Sequence, residues 1–214
     1  MSIKRTLVHR FRVVLGHLGW KTRSLEAWER WHDPVVKRSV EEVLSFVPED
    51  GLFLDIGANV GLFSKHLHAA RPRARGILFE PVTVYFERCR DRFKDAPGMR
   101  VEHLAIGDED HTATIYKAAH NPGGNSLVDE LMFDRRPNAR VAPDMVVETE
   151  EVTVRHIGRW LEAEGIDHVD FIKSDTEGYD YAVLRGLLPW LERTGCRPVL
   201  LCELMLDSYH TRRV

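Results

Sequence analysis

Cysteine is scarce in this chain, and the little there is has no useful spacing. Cys89, Cys196 and Cys202 are three in 214 residues and form no CxxC, which argues against a disulfide framework and the usual zinc spacings. Two lie in apolar surroundings, so all three read as reduced thiols of a cytosolic protein. Positive charge is not in excess: the formal net charge is -3, and nothing suggests a general attraction to nucleic acid. Long hydrophobic runs are missing as well. The stretch from Val13 to Trp20 is broken by Gly16, His17 and Gly19 and has no clear cleavage site, so neither a spanning helix nor an export signal is read. The eleven histidines, His66 and His68 among them, contain no HExxH and no close cluster. No GKS or GKT is present, which excludes a P-loop.

The remainder is ordinary for a globular enzyme, 43% apolar and 29% charged, and is expected to form a helical segment over 1–47 and one domain over 48–214. The informative stretch is Leu52-Phe53-Leu54-Asp55-Ile56-Gly57-Ala58-Asn59-Val60-Gly61. Its apolar run is too short for a helix and reads as a buried parallel strand. Gly57 and Gly61 flank a tight turn, and Leu62, Phe63, Leu67 and Ala70 follow at helical spacing. Strand, glycine turn and helix together suggest a nucleotide site. A dinucleotide fingerprint fails, because Asn59 stands third and Gly61 comes one residue early. Asp55 at the strand end would repel a pyrophosphate and suits a ligand carrying ammonium or sulfonium charge.

Residues 1–24 hold Lys4, Arg5, Arg10, Arg12, Lys21 and Arg23 with no acid, and Leu7, Phe11, Val14, Leu15 and Leu18 share one helical face. This helix is read first as a cap on the sheet or a partner surface, and second as a peripheral contact with an anionic membrane. Ser24 to Val47 is helical, interrupted at Asp33-Pro34 with Asp33 as a cap. Trp28 and Trp31 are read as core, packing at home or on a neighbouring copy. Arg75 to Glu80 is the second strand, Val82 to Phe93 the second helix, and Met99 to Ile106 the third strand. Thr112 to Tyr116 and Val146 to Val154 alternate as antiparallel strands. The long connection between them, from residue 117 to 145, is read as a binding loop over the substrate. His156 to Ala163 is a short helix, Val169 to Lys173 the fourth strand, Tyr179 to Trp190 a helix, and Pro198 to Glu203 the fifth strand.

Four carboxylates, Asp55, Glu80, Asp175 and Glu203, thus close four predicted parallel strands. Open α/β sheets bind ligands at those ends. Glu80, nineteen residues past Gly61, is placed to accept hydrogen bonds from both hydroxyls of a ribose.

These features come together in a resemblance. LFLDIGANVGLFS (52–64), ILFEP (77–81), LAIGDEDHTATIY (104–116), GGNSL (123–127), DFIKSDTEGYDYAVLRG (170–186) and LLCEL (200–204) resemble, in order, the FkbM-type S-adenosylmethionine-dependent methyltransferases over roughly residues 35 to 205. The resemblance implies a Rossmann-like class I fold: α/β, doubly wound and mostly parallel, with a β-hairpin insertion and N-terminal helices. It also implies methyl transfer to a hydroxyl of a sugar or other small natural product, with a small-molecule acceptor; the charge balance separately argues against nucleic acid. By the same analogy Asp55, Gly57, Ala58, Asn59 and Gly61 hold the methionine part of S-adenosylmethionine and Glu80 its ribose. Ala105, Ile106, Gly107 and Asp108 edge the adenine, and Asp175 and Glu177 face the acceptor. Two departures stand out. His156 lies near where relatives often carry an acid, and the chain stops soon after the fifth strand where many relatives add an antiparallel pair, so either a short sheet or a truncated chain is expected.

Candidate bases for the acceptor hydroxyl are Asp175, Glu177 and, in the loop, His120. No metal site is assigned; Mg²⁺ held by Asp175, Glu177 and Glu203 is the second choice. No DPPY-type or NPPY-type tetrad follows the fourth strand, which sets aside amino-group methylation. The alternative reading is a catalytically silent nucleoside-binding module with an incomplete acceptor site. A nicotinamide oxidoreductase ranks below both, since the glycine spacing fails.

Overall fold

The structure, a computed structural model, describes residues 25–118, 125, 127 and 147–202. The basic segment 1–24, most of the 117–145 loop, His120 and Glu203 lie outside the described residues.

Among the described residues fourteen elements follow one another: α1 (Leu25–Val43), a 3-10 turn (Leu44–Phe46), β1 (Leu52–Ile56), α2 (Leu62–Ala70), β2 (Arg75–Phe79), α3 (Thr83–Phe93), β3 (Met99–Glu102), β4 (Ala105–Gly107), β5 (His111–Ala118), β6 (Val147–His156), α4 (Ile157–Ala163), β7 (Phe171–Ser174), α5 (Asp180–Thr194) and β8 (Val199–Cys202). Five strands form one sheet in the order β3-β2-β1-β7-β8, and every pairing in it is parallel. Chain order runs outward from β1 through β2 to β3, then resumes on the other side with β7 and β8. The reversal makes the crevice beyond the ends of β1 and β7 a topological switch point.

The central strand is buried along its whole length, as expected of a parallel strand covered on both faces. Leu52, Leu54 and Ile56 enter one core with Ile77, Phe79, Ile172, Leu187 and Trp190, under α4 and α5. Phe53 enters the other with Phe63, Leu67, Leu78, Cys89 and Phe171, under α1, α2 and α3. Helices on both faces make the fold doubly wound. Each large side chain fully buried here contributes roughly 1.5–3 kcal/mol. Among the described residues no helix is long and apolar enough to cross a membrane. All three cysteines are free, Cys89 and Cys196 buried.

Three expectations are corrected. The predicted third strand is two. β3 pairs with β2, and after His103-Leu104 the chain moves to β4, which pairs with β6. His103 marks the break, its Nε2 2.9 Å from the Pro81 carbonyl and its ring stacked on Phe86. The predicted hairpin is therefore part of a three-stranded sheet, β4-β6-β5, with β5 and β6 antiparallel from His111↔Val154 to Ala118↔Val147. Second, α1 runs through Pro34 and Asp33 is no cap. Its carboxylate turns to α2, 2.6 Å from Lys65 Nζ and 3.0 Å from His66 Nε2. Third, Trp31 is 52% exposed, whereas Trp28 packs on the core formed by Val60, Leu62, Val82, Tyr85 and Val154.

Gly57 lies tight against the backbone that follows β7. Its φ is +76°, and a Cβ there would stand 2.1 Å from the Asp175 carbonyl oxygen. The close approach this glycine permits is to the protein's own backbone. Gly195 shares the left-handed conformation, φ +71°, with open space around it. Gly195→Ala is expected to cost about 1–2 kcal/mol in urea unfolding, and Gly57→Ala on the order of 4 kcal/mol or the fold itself. Equal costs would show that the β1/β7 crossing is looser than described.

Candidate active site

The glycine turn is closed on itself. Gly57 and Ala58 both donate their N–H groups to the Phe79 carbonyl, at 3.0 and 2.9 Å, and Gly61 donates to Ala58 at 2.9 Å. The Asn59 N–H donates to Glu80 Oε2 at 2.7 Å and the Val60 N–H to the Asn59 side-chain oxygen at 2.7 Å. Five consecutive N–H groups are thus engaged within the chain, which leaves no nest of donors for a phosphate in this turn. Gly61 begins α2 in a left-handed conformation, φ +76°, where a Cβ would meet the Phe93 ring and the Cys89 thiol.

Asp55 lies beneath the turn with none of its surface exposed. Ser64 Oγ donates to its Oδ2 at 2.6 Å, and Lys173 Nζ to its Oδ1 at 3.1 Å. Lys173 is the residue sequence reasoning missed, although it stands two residues before Asp175 in the DFIKSDTEGYDYAVLRG stretch. It faces Asp55 directly in the β1/β7 register, so the two side chains leave the sheet on the same side. Its ammonium also donates to the Gly57 carbonyl at 3.2 Å and pairs with Asp175 Oδ2 at 3.5 Å. Burial alone would favour its neutral form, but the two carboxylates outweigh this and hold it charged.

Asp175 follows β7 with 43% of its side chain exposed, so it offers a carboxylate to the crevice. Two residues on, Glu177 is half-buried with φ +51°, an uncommon conformation for a glutamate. Between them the Thr176 hydroxyl is buried without a hydrogen-bond partner among the described residues; its methyl lies 3.6 Å from the position of a Cβ on Gly57. The loop is anchored by Asp180, a second acid not singled out from the sequence. It is buried and accepts from Ser174 Oγ and from the Thr176 N–H at 3.3 Å.

Glu80 closes β2 and is 5% exposed. Each carboxylate oxygen accepts one backbone N–H, from Asn59 and from Val82 at 2.9 Å, leaving further lone pairs for a hydroxyl donor. Burial pushes its carboxyl up to about 7, against the pull of those two hydrogen bonds. Nearby, Tyr85 packs with Val60, Leu62 and Val82, and burial pushes its hydroxyl up.

The structure therefore brings Asp55, Gly57, Ala58, Asn59, Gly61, Glu80, Asp175 and Glu177 around the β1/β7 crevice. The remaining candidates stand differently. Ala105 and Ile106 are buried at 4% and 2%, and Gly107 is buried in β4 with them. Only their backbone can edge a ligand. Asp108 turns to α5, 2.8 Å from Arg185 Nε. His156 serves as the cap of α4, accepting from the Arg159 N–H at 3.3 Å. Among the described residues no group of three His, Cys, Asp or Glu side chains is placed to hold a metal ion.

A family model, Methyltransferase FkbM domain, matches residues 55–212. Methyltransferase 1 of Beauveria bassiana is 27% identical over 149 residues, covering 65% of this chain and 59% of that protein. The 2-O-methyltransferase NoeI of Sinorhizobium fredii is 26% identical over 149 residues, covering 68% and 60%. The chain thus spans about three-fifths of the length of these relatives. Among solved structures, a SAM-dependent methyltransferase from Agrobacterium tumefaciens aligns with a TM-score of 0.39 and 11% identity, over 86% of this chain and 47% of that one. That likeness adds nothing to the strand order described above.

Asp55→Ala would leave the Lys173 ammonium buried beside an empty position. The expected cost is about 3–5 kcal/mol, read by denaturant unfolding; a loss below about 1 kcal/mol would mean the pair is not buried as described. Glu80 makes a separate prediction. Its folded pKa lies above the unfolded value of about 4.3, so its contribution to stability is full below that value and lost as pH rises through 7. The stability of Glu80→Gln relative to the wild type should therefore rise from pH 5 to pH 7 and level off above. A flat difference would contradict the burial of this carboxyl.

Proposed function

The chain belongs to the Methyltransferase FkbM domain family, and from that premise we propose that it is an S-adenosylmethionine-dependent O-methyltransferase acting on a hydroxyl of a sugar or other small natural product. The observation that carries this reading is the meeting of Asp55, Glu80 and Asp175 at the carboxyl ends of three adjacent parallel strands. A turn whose N–H groups are all engaged and whose nearest side chains are acids suits a cationic nucleoside better than an anionic dinucleotide.

When bound, S-adenosylmethionine supplies a sulfonium methyl: the acceptor oxygen forms the new C–O bond as the C–S bond breaks, the electron pair staying on sulfur and the hydroxyl proton passing to a base. The protein's main task is then alignment, which can supply on the order of 7–11 kcal/mol. Glu80 would accept the ribose hydroxyls through its remaining lone pairs, and the glycine turn, with the Thr176 hydroxyl that has no hydrogen-bond partner among the described residues, would meet the methionine end. The backbone of Ala105 to Asp108 would edge the adenine. Glu177 and Asp175, with His120 from the loop, are the groups proposed to orient the acceptor and take its proton, adding perhaps 10²- to 10⁴-fold. The relative NoeI is a 2-O-methyltransferase, which supports oxygen as the acceptor atom.

Titration calorimetry with S-adenosylmethionine, S-adenosylhomocysteine and NAD, with and without Mg²⁺, tests the cofactor. Micromolar binding of the first two and none of NAD is expected, followed by turnover in a screen of glycosides. Binding without turnover on any acceptor would favour a nucleoside-binding module. No binding would end the enzyme reading.

A further inference from the structure

Among the described residues, Cys196 alone of the three cysteines has a histidine at its sulfur. Its Sγ lies 3.8 Å from His168 Nδ1, and on the far side of the ring His168 Nε2 lies 3.0 Å from Asp170 Oδ1. Asp170 is fixed in turn, because its other oxygen accepts the Leu52 N–H at 2.8 Å. Burial works against the charge of Asp170, but the hydrogen bonds from His168 and Leu52 and the charge of Arg75 hold its carboxyl below the usual range. A carboxylate at Nε2 keeps the ring proton on that nitrogen, which leaves the Nδ1 lone pair facing the thiol. The Val169 N–H also points at the sulfur, at 3.4 Å, and the thiol reaches the Val169 carbonyl at 3.3 Å. The nearest further cation in the chain is Arg197, whose guanidinium donates to the Cys196 carbonyl at 2.8 Å. Thiol and carboxylate meet opposite nitrogens of one ring, so the three form a relay and do not converge on a metal ion. His168 and Asp170 precede β7 and Cys196 precedes β8, which puts the relay at the end of the sheet away from the crevice, where it does not rest on the cofactor reading.

We propose that Cys196 is a nucleophilic thiol and a modification site for small disulfides, with His168 as its base and Asp170 as the positioning residue for that base. His168 takes the thiol proton and the thiolate attacks one sulfur of the disulfide. A new S–S bond forms as the old one breaks, and the departing thiolate is protonated. Cys196 is thereby oxidised to a mixed disulfide, and the other half of the reagent leaves reduced, as a thiol. Exposure alone would rank the cysteines differently: Cys202 is half-buried, Cys196 is 6% exposed, next to the open space around Gly195, and Cys89 is not exposed at all. The Cys202 thiol, however, is pushed up to about 11 by burial and the neighbouring Asp180 charge, and burial pushes the Cys89 thiol up as well.

The test is the reaction of the full, folded chain with 4,4′-dithiodipyridine, followed by thiopyridone release from pH 5 to pH 9 and by peptide mass spectrometry to locate the label. At pH 7 Cys196 should be labelled first, roughly tenfold or more ahead of Cys202, with a shoulder in its pH profile near the ordinary imidazole value of about 6.5. His168→Gln, at a side chain 71% exposed, should fold, lower the Cys196 rate on the order of 10²-fold and abolish the shoulder. Asp170→Asn turns an N–H toward Nε2, which moves the ring proton to Nδ1, and should slow the same residue. A merely structural role for His168 would change stability and leave this pH profile as it is. Labelling of Cys202 ahead of Cys196 overturns the inference, as does an unchanged rate in His168→Gln. So does labelling of Cys196 no faster than of Cys89, whose reaction reports opening of the whole core.

Discussion

The site depends on one buried ion pair. Asp55 and Lys173 stand opposite each other in adjacent parallel strands, both on the face that looks toward α2. Removing two charges from water costs several kcal/mol per ion, so such a pair persists only when its remaining donors and acceptors are met. Here they are met: Ser64 takes the second oxygen of Asp55, while the Gly57 carbonyl and Asp175 take the rest of the ammonium. What the pair confers is geometry more than stability. It holds the turn after β1 and the loop after β7 in one relation, and the crevice between those segments is where an open α/β sheet binds its ligand.

The second sheet governs the other end of the crevice. Ile115, Val152 and Val154 pack on Val60, Leu62, Val82 and Tyr85, which are the residues beginning α2 and lying around the start of α3. Glu80, held by the Asn59 and Val82 N–H groups, lies buried beside these residues. Its burial raises the proton affinity of a carboxylate that two backbone N–H groups would otherwise hold low, so packing around the end of β2 becomes a chemical property of the proposed ribose site.

Much of this was legible in the residues. The strand from Leu52 to Ile56 is too short and too apolar to be anything but a buried strand, and the glycines after it mark a turn whatever lies around them. Glu80 and Asp175 were identifiable because an acid ending an apolar run is conspicuous. The function of the glycines was less legible. They read as bare backbone for a ligand, yet Gly57 makes room for the Asp175 carbonyl and Gly61 for Phe93 and Cys89. Periodicity sees that a side chain is missing and not what occupies its place. Likewise Asp33 has the right neighbour for a helix cap, and only the presence of Lys65 and His66 across the helix interface shows why it turns away. Trp31 is exposed because α1 lies on one side of the core and presents it to the other, a choice of rotation that helical spacing leaves open.

The sequence by itself determined the local elements and the chemical character of the crevice: an α/β order, a glycine turn without the spacing for a dinucleotide, and acids closing the strands. These are short-range properties, set by side-chain periodicity, turn chemistry and the type of residue at a strand's end. Tertiary structure alone decided which acids meet a cation. Asp55 and Lys173 are 118 residues apart in the chain, and nothing in either neighbourhood states the register that makes them opposite. That register follows from the burial of β1 and β7 on both faces, where a slip by one residue would send Asp55 and Lys173 into the opposite apolar core.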